Sequence, residues 1–148
     1  MKNKNNIVIA GAGHAGIEAA LAASRLGISV ILVTMDTSTI GRMSCNPAIG
    51  GLGKGHLVQE IDALGGIMGL AADYAGIQFK MLNTSKGRAV WSLRAQVDKK
   101  LYPKFILREI QQHTNIKILH DEVVDFYVNN HQLSSIKDAI GSDLKWVE

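Results

Sequence analysis

The feature that most constrains this chain is "GAGHAG", which sets Gly11, Gly13 and Gly16 in the spacing G-x-G-x-x-G. Its flanks decide what it means. "NIVIA" (6–10) is a short β-branched run ending at glycine and reads as a buried strand. "HAGIEAALAASRLG" (14–27) is alanine-rich, sets Ile17 and Leu21 one turn apart and stops at Gly27, which predicts a helix with a glycine stop. "SVILVT" (29–34) predicts a second buried strand. Strand, helix and strand within about thirty residues require parallel strands and a right-handed crossover. The glycines then have separate physical tasks. Gly11 makes the tight turn, Gly13 lets a pyrophosphate approach the backbone, and Gly16 lets the helix pack close to the strand. Free N–H groups and the positive dipole end of the helix hold the phosphates. The expected fold is therefore α/β and Rossmann-like, a dinucleotide-binding unit.

The ribose anchor departs from the usual pattern. A carboxylate is expected at the end of the second strand, and this chain has Thr34 there, with Asp36 as the nearest acid. Thr34 can hydrogen-bond a hydroxyl, and Asp36 reads equally as a ribose ligand or a solvated loop acid. No basic residue at 34–36 favours a 2′-phosphate.

Downstream, "GRMSCNPAIGGLGKGH" (41–56) reads as a long glycine-rich loop without helix or strand. "LVQEIDALGGIMG" (57–69) has helical spacing, and 70–92 looks irregular around "NTSKGR". Residues 94–114 read as helical, with a kink or a break at Pro103. Residues 116–124 predict the next strand, and the rest an antiparallel meander with turns at Asn129-Asn130 and Gly141-Ser142-Asp143. The last expected strand, "LKWVE", ends the chain before another core strand of a doubly wound sheet.

A length of 148 residues with 47% apolar content fits one ordinary domain. One cysteine excludes an internal disulfide. No run approaches a membrane span, and His14 and Glu18 interrupt the apolar start, so a cytoplasmic protein is expected. A net charge of +3 permits a polyanionic partner without arguing for one. Cys45 reads either as a nucleophile, with Lys54 and His56 nearby in sequence, or as a small hydrophobe packed under its loop. His14 reads either as a position of little consequence or as a ring covering cofactor. The other histidines lack ligand spacing, so no metal site is expected. Lys80, Lys86, Arg88 and Arg94, with Trp91 among them, suit RNA or else a solvated face around a core tryptophan.

Four blocks make the chain resemble the MnmG (GidA) family of tRNA-modifying flavoproteins: "GAGHAGIEAALAASRLG", "TIGRMSCNPAIGGLGKGHLVQEIDALGG", "AADYAGIQFKMLNTSKGRAVWSLRAQVDKKLY" and Asn115–Val123. The resemblance implies FAD, with its pyrophosphate at Gly11, Ala12, Gly13, His14, Ala15 and Gly16. It implies a backbone contact from Val123, at the end of the third parallel strand, to the adenine side. It implies reduction by NADH, a methylene-folate donor, an MnmE-type GTPase partner and a homodimer. The implied activity is aminomethyl-type modification of carbon 5 of the wobble uridine of tRNA. Cys45 matches the family's "SCNP" cysteine, one of two candidate nucleophiles toward uridine carbon 6 in the family, the other lying further along the family's sequence, and the glycines of 41–56 would let backbone approach the flavin. Arg88 departs from the family, which commonly has proline there. The chain corresponds to the N-terminal part of such a protein: residues 1–148 form a partial FAD-binding domain, incomplete at its C-terminus, without the NADH-binding insertion or the C-terminal helical region. Its first strand would then be an exposed sheet edge. The alternative is a catalytically inactive RNA-binding or dimerisation module.

Overall fold

The structure, a computed structural model, describes residues 6–130, 132–139, 141 and 143–145. The chain divides into two compact units. The first combines residues 1–40 and 110–148, and the second, 41–109, is inserted between them.

The first unit begins β1 (Asn6–Ala10), α1 (His14–Arg25), β2 (Ser29–Thr34), as the apolar pattern predicts, but β1, expected to be buried, is half-buried with Ala10 exposed. β1 and β2 are parallel from Asn6 opposite Ser29 to Ala10 opposite Val33. α1 turns Ile17, Ala20, Leu21, Ala23 and Ser24 inward, and each large apolar side chain removed from water contributes about 1.5–3 kcal/mol. The helix ends at a hydrogen-bonded latch. The Ser24 hydroxyl donates to Asn115 Oδ1 at 2.6 Å, and Asn115 Nδ2 donates to the Ser24 and Ile28 carbonyls at 3.0 and 2.8 Å. The hydroxyl has one proton, so the 2.6 Å contact from His113 Nδ1 requires the proton on that nitrogen.

The second unit holds β3 (Ala48–Gly50), α2 (Lys54–Ala63), α3 (Met68–Ala75), β4 (Gly76–Leu82) and β5 (Ser92–Val97). Its sheet is antiparallel in the order β3-β5-β4. Three sequence expectations are corrected here. Residues 41–56 are not all loop, because β3 and the start of α2 lie within them. Residues 70–92 contain most of α3 and all of β4. Residues 94–97, expected to open a helix, belong to the strand β5.

α4 (Leu101–Gln112) follows and crosses the unit boundary. The Asp98 carboxylate accepts the Lys100 and Leu101 amides at 2.6 and 2.9 Å, and these bonds, the Leu101 one first, hold its pKa below the usual value. Pro103 falls in the first turn, where an amide has no partner inside the helix, so the expected kink or break is absent. Within this unit, the Arg108 guanidinium lies 5.4 Å from the Tyr74 ring and 4.9 Å from the Phe105 ring, which are themselves 4.8 Å apart. A Cβ on Gly41 would stand 3.0 Å from Ile106 Cδ1, so the unit's first residue abuts a residue near its last.

The chain returns to the first unit as β6 (Ile116–His120), parallel to β2 with Thr34 opposite His120. The parallel sheet has the order β1-β2-β6, so among the described residues β1 is an edge, as expected. β7 (Val123–Asn129), β8 (Gln132–Asp138) and β9 (Asp143–Lys145) form the antiparallel meander. The expected turn at Asn129-Asn130 is occupied by Asn130 at φ 48°. The last three residues of "LKWVE" and Ser142 of the second turn lie outside the described residues. One further boundary is corrected: β6 ends at His120, and Val123 opens β7 opposite Asp138 instead of closing the third parallel strand.

Candidate functional site

The turn between β1 and α1 gives its three glycines three different geometries. Gly11 has φ +101° and donates its N–H to the Val33 carbonyl at 2.8 Å, which ties the turn to the end of β2. A Cβ on Gly16 would lie 1.9 Å from the Gly11 carbonyl oxygen, so no larger residue fits while the helix packs this closely. Gly13 is the N-cap of α1, with extended backbone and open space where a Cβ would be. No side chain caps the helix and its first turn has no acid. The N-terminus of a twelve-residue helix is thus left with outward N–H groups and room for an anion. Ala12 is buried beneath the turn, and Ala15 is exposed beside it.

Thr34 and Asp36 lie at the same carboxyl edge of the parallel sheet. Thr34 is buried, and its hydroxyl donates to the Asp36 carbonyl at 3.3 Å. The Asp36 carboxylate accepts the Ser38 amide at 2.8 Å and caps a short 3₁₀ turn at Thr37–Thr39. His120 ties this turn to β6 through a 2.7 Å contact between Nε2 and the Met35 carbonyl. The Asp121 amide donates to the Thr34 carbonyl at 3.0 Å. Ligand spacing among the histidines gives no sign of His120, because its role is set by strand register and not by neighbouring residues in sequence. Val123 lies three residues beyond it, at the start of β7.

His14 opens α1 and is half-buried. Burial pushes its pKa below 6.5, and the Glu18 carboxylate one turn along opposes that shift. The ring is therefore neutral at pH 7.

Cys45 belongs to the second unit, as an exposed free thiol whose Sγ is 3.9 Å from the Ser44 hydroxyl. The reading of a small hydrophobe packed under its loop is corrected by that exposure. Two glycines after it serve packing against β5. A Cβ on Gly50 would meet the Leu93 carbonyl oxygen at 2.3 Å, and one on Gly55 the Ser92 hydroxyl at 2.5 Å. The Ser92 hydroxyl donates to the Gly51 carbonyl, which also accepts the Gly55 amide at 2.7 Å. Within this unit a cavity of about 160 Å³ is lined by Val58, Asp62, Ala72, Asp73, Phe79 and Leu93, among others. It is smaller than the roughly 300–1,000 Å³ of a typical ligand cleft. Trp91 is 38% exposed and so is not a core residue. Among the described residues no group of His, Cys, Asp and Glu is placed to hold a metal ion, and no helix is long and apolar enough to cross a membrane.

Residues 6–146 match the family described as glucose inhibited division protein A. The chain is 52% identical over 140 residues to the tRNA uridine 5-carboxymethylaminomethyl modification enzyme MnmG of Aquifex aeolicus, covering 95% of this chain and 23% of that protein. It therefore spans about a quarter of the length of this curated relative. Among solved structures it is similar to Aquifex aeolicus GidA in its form II crystal, with a TM-score of 0.91 and 51% identity over 97% of this chain and 24% of the other. A GidA-related protein from Thermus thermophilus shares the fold, with a TM-score of 0.61 at 11% identity over 97% of this chain and 50% of the other.

Proposed function

The chain belongs to the glucose inhibited division protein A family, and from that premise we propose that it is the FAD-binding part of an enzyme that modifies carbon 5 of uridine in tRNA. The observation that carries the cofactor is the Gly16 approach. A helix packed so tightly that a Cβ at Gly16 would stand 1.9 Å from backbone, and capped by a glycine facing open space, is the geometry a pyrophosphate needs.

Gly11, Ala12, Gly13, His14, Ala15 and Gly16 would hold the pyrophosphate through backbone N–H groups and the α1 dipole. The neutral His14 ring brings no charge of its own to that anion. Thr34 and Asp36 fit the ribose side through the exposed turn that His120 steadies. The Val123 backbone would serve the adenine side. When bound, FAD supplies the redox chemistry of the reaction. Cys45, exposed and free, is the nucleophile toward uridine carbon 6, which raises electron density at carbon 5 for attack on a one-carbon unit. NADH as reductant, a methylene-folate donor, an MnmE-type GTPase partner, a homodimer and a cytoplasmic location complete the reading and concern the longer protein.

The test is flavin uptake. Purified chain mixed with excess FAD and desalted should retain flavin near one per chain, with absorbance between 350 and 500 nm typical of flavin on the order of that of free FAD. Folded protein that retains none overturns the proposal. Colourless protein that still binds RNA would favour the alternative, an RNA-binding or dimerisation module without catalysis.

A further inference from the structure

Charge is distributed unevenly along this chain. Residues 76–97, the β4–β5 hairpin, hold Lys80, Lys86, Arg88 and Arg94 and no carboxylate. The whole chain carries +3, so the hairpin's four cations leave the remainder at −1. The meander, by contrast, has Asp125 and Asp138 on paired strands.

The register concentrates these cations. Lys80 stands directly opposite Arg94, and Gln78 opposite Gln96, so all four project from one face. Lys80, Arg94 and Gln78 are exposed and Gln96 is half-exposed. Like charges directly opposite on neighbouring strands repel and destabilise the pair. Among the described residues no ion pair relieves this, since the pair present is Arg108–Glu109. The loop adds Lys86 and Arg88. It is ordered by hydrogen bonds from the Lys86 amide to the Asn83 carbonyl at 2.9 Å and from Trp91 Nε1 to the Lys86 carbonyl at 3.1 Å. The Arg88 guanidinium lies 5.7 Å from the centre of the half-open Trp91 ring. Lys80 is two residues from the end of β4, about 7 Å along the strand. The strand pair and the loop pair are therefore successive stations on one ribbon.

One small anion would satisfy one station. Cations strung along a ribbon, with a side-chain amide pair next to them on the same face and an aromatic face at the tip, fit a ligand of repeating charge that carries bases able to stack. We propose that the β4–β5 hairpin is a docking surface for the sugar–phosphate backbone of RNA. The inference rests on the tRNA-modifying reading for the identity of the polyanion. It explains why a repulsive cation pair stands on an open sheet face: the partner supplies the missing negative charge.

The test is fluorescence anisotropy of the full chain against a fluorescein-labelled anticodon stem–loop RNA with an unmodified wobble uridine, over a series of KCl concentrations. Lys80→Gln/Arg94→Gln should weaken binding roughly tenfold and reduce the log–log salt slope by about 1.4, the share of two single-strand phosphate contacts. The control Arg25→Gln/Lys117→Gln removes the same charge from exposed positions of the other unit and should leave affinity within about twofold. The hairpin variant should melt no lower than wild type, because a repulsion is removed. Lys86→Gln/Arg88→Gln gives the same reading from the loop if the strand variant misfolds. Equal losses from hairpin and control pairs overturn the proposal, as does a wild-type chain that does not bind the RNA. So does a hairpin variant that keeps RNA and loses FAD, which would assign the cations to the cofactor. FAD uptake on the same samples separates the two readings. A colourless wild type whose RNA binding still falls in the hairpin variant overturns the flavoprotein function and keeps this surface. A yellow chain indifferent to RNA does the opposite.

Discussion

Two glycine-rich turns each launch a helix here from an N-cap glycine that faces open space, Gly13 and Gly53, and they differ in what their crowded glycines pack against. In "GAGHAG" the crowded position, Gly16, brings α1 onto the turn, and the N-cap Gly13 is left facing open space. In "GGLGKG" the crowded positions, Gly50 and Gly55, bring the chain onto β5, and the Gly51 carbonyl is occupied by the Ser92 hydroxyl and the Gly55 amide. The first turn packs its helix onto the turn's own backbone. The second clears room for the protein's own strand. Composition does not separate them, but the identity of the nearest atom to an imagined Cβ does.

Substitution should separate them as well. The largest effect belongs to Gly50→Ala, where a 2.3 Å clash with backbone adds to a φ of +83°. Overpacking and left-handed strain together should cost about 3 kcal/mol or more in urea unfolding. Gly16→Ala meets backbone at 1.9 Å and should cost a similar amount. The two variants differ in that protein still folded should keep FAD for Gly50→Ala and lose it for Gly16→Ala. If both keep it, the comparison between the turns collapses.

Gly13→Ala sharpens the contrast, since its backbone is ordinary and its Cβ meets nothing. Stability should stay within about 0.5 kcal/mol, while FAD affinity falls roughly tenfold, or ~1.4 kcal/mol. A titration that finds affinity unchanged would show that the space at Gly13 is not the ligand's.

A smaller effect comes from protons. The folded pKa of His14 is depressed below 6.5, so the unfolded chain binds this proton first as pH falls. Stability is fully present above pH 6.5 and is lost progressively below it, down to the folded value. His14→Gln should flatten that part of the stability–pH curve. Glu18→Gln should steepen it, because the carboxylate holds the depression back. Cys45→Ser should do least: the exposed thiol can change without altering melting or flavin uptake, each within about 0.5 kcal/mol.

How far the sequence could be read depended on the range of the interactions. β1, α1 and β2 were legible because their apolar periods and glycine stops are local, and the structure sets them at Asn6–Ala10, His14–Arg25 and Ser29–Thr34. The glycine motif was legible for the same reason. β5 was misread because Val97 continues the four-residue spacing of Leu101 and Phe105, and the true boundary is the Asp98 cap between them. β4 alternates Ile77, Phe79 and Met81 with Gln78 and Lys80, a strand pattern that the preceding helix and the following turn residues obscured. α2 starts at Lys54 after the N-cap Gly53, which has no capping side chain, so nothing in its sequence marks the start. The Thr34 and His120 contacts depend on register between β2 and β6 and have no sequence signature.

The contact of Gly41 with Ile106 bears on how the chain reaches this state in time. β2 and β6 must pair across the 81 residues between Thr34 and Ile116. If residues 41–109 fold first, their ends are already held together, and only about 15 residues of open chain separate the two strands. Loop-closure entropy then falls by about 1.5 kcal/mol. Such an order makes the insertion a kinetic aid to the parallel sheet: early amide-exchange protection would appear in β3–β5 before β2 and β6, and a mutation loosening the insertion would slow the pairing of β2 with β6.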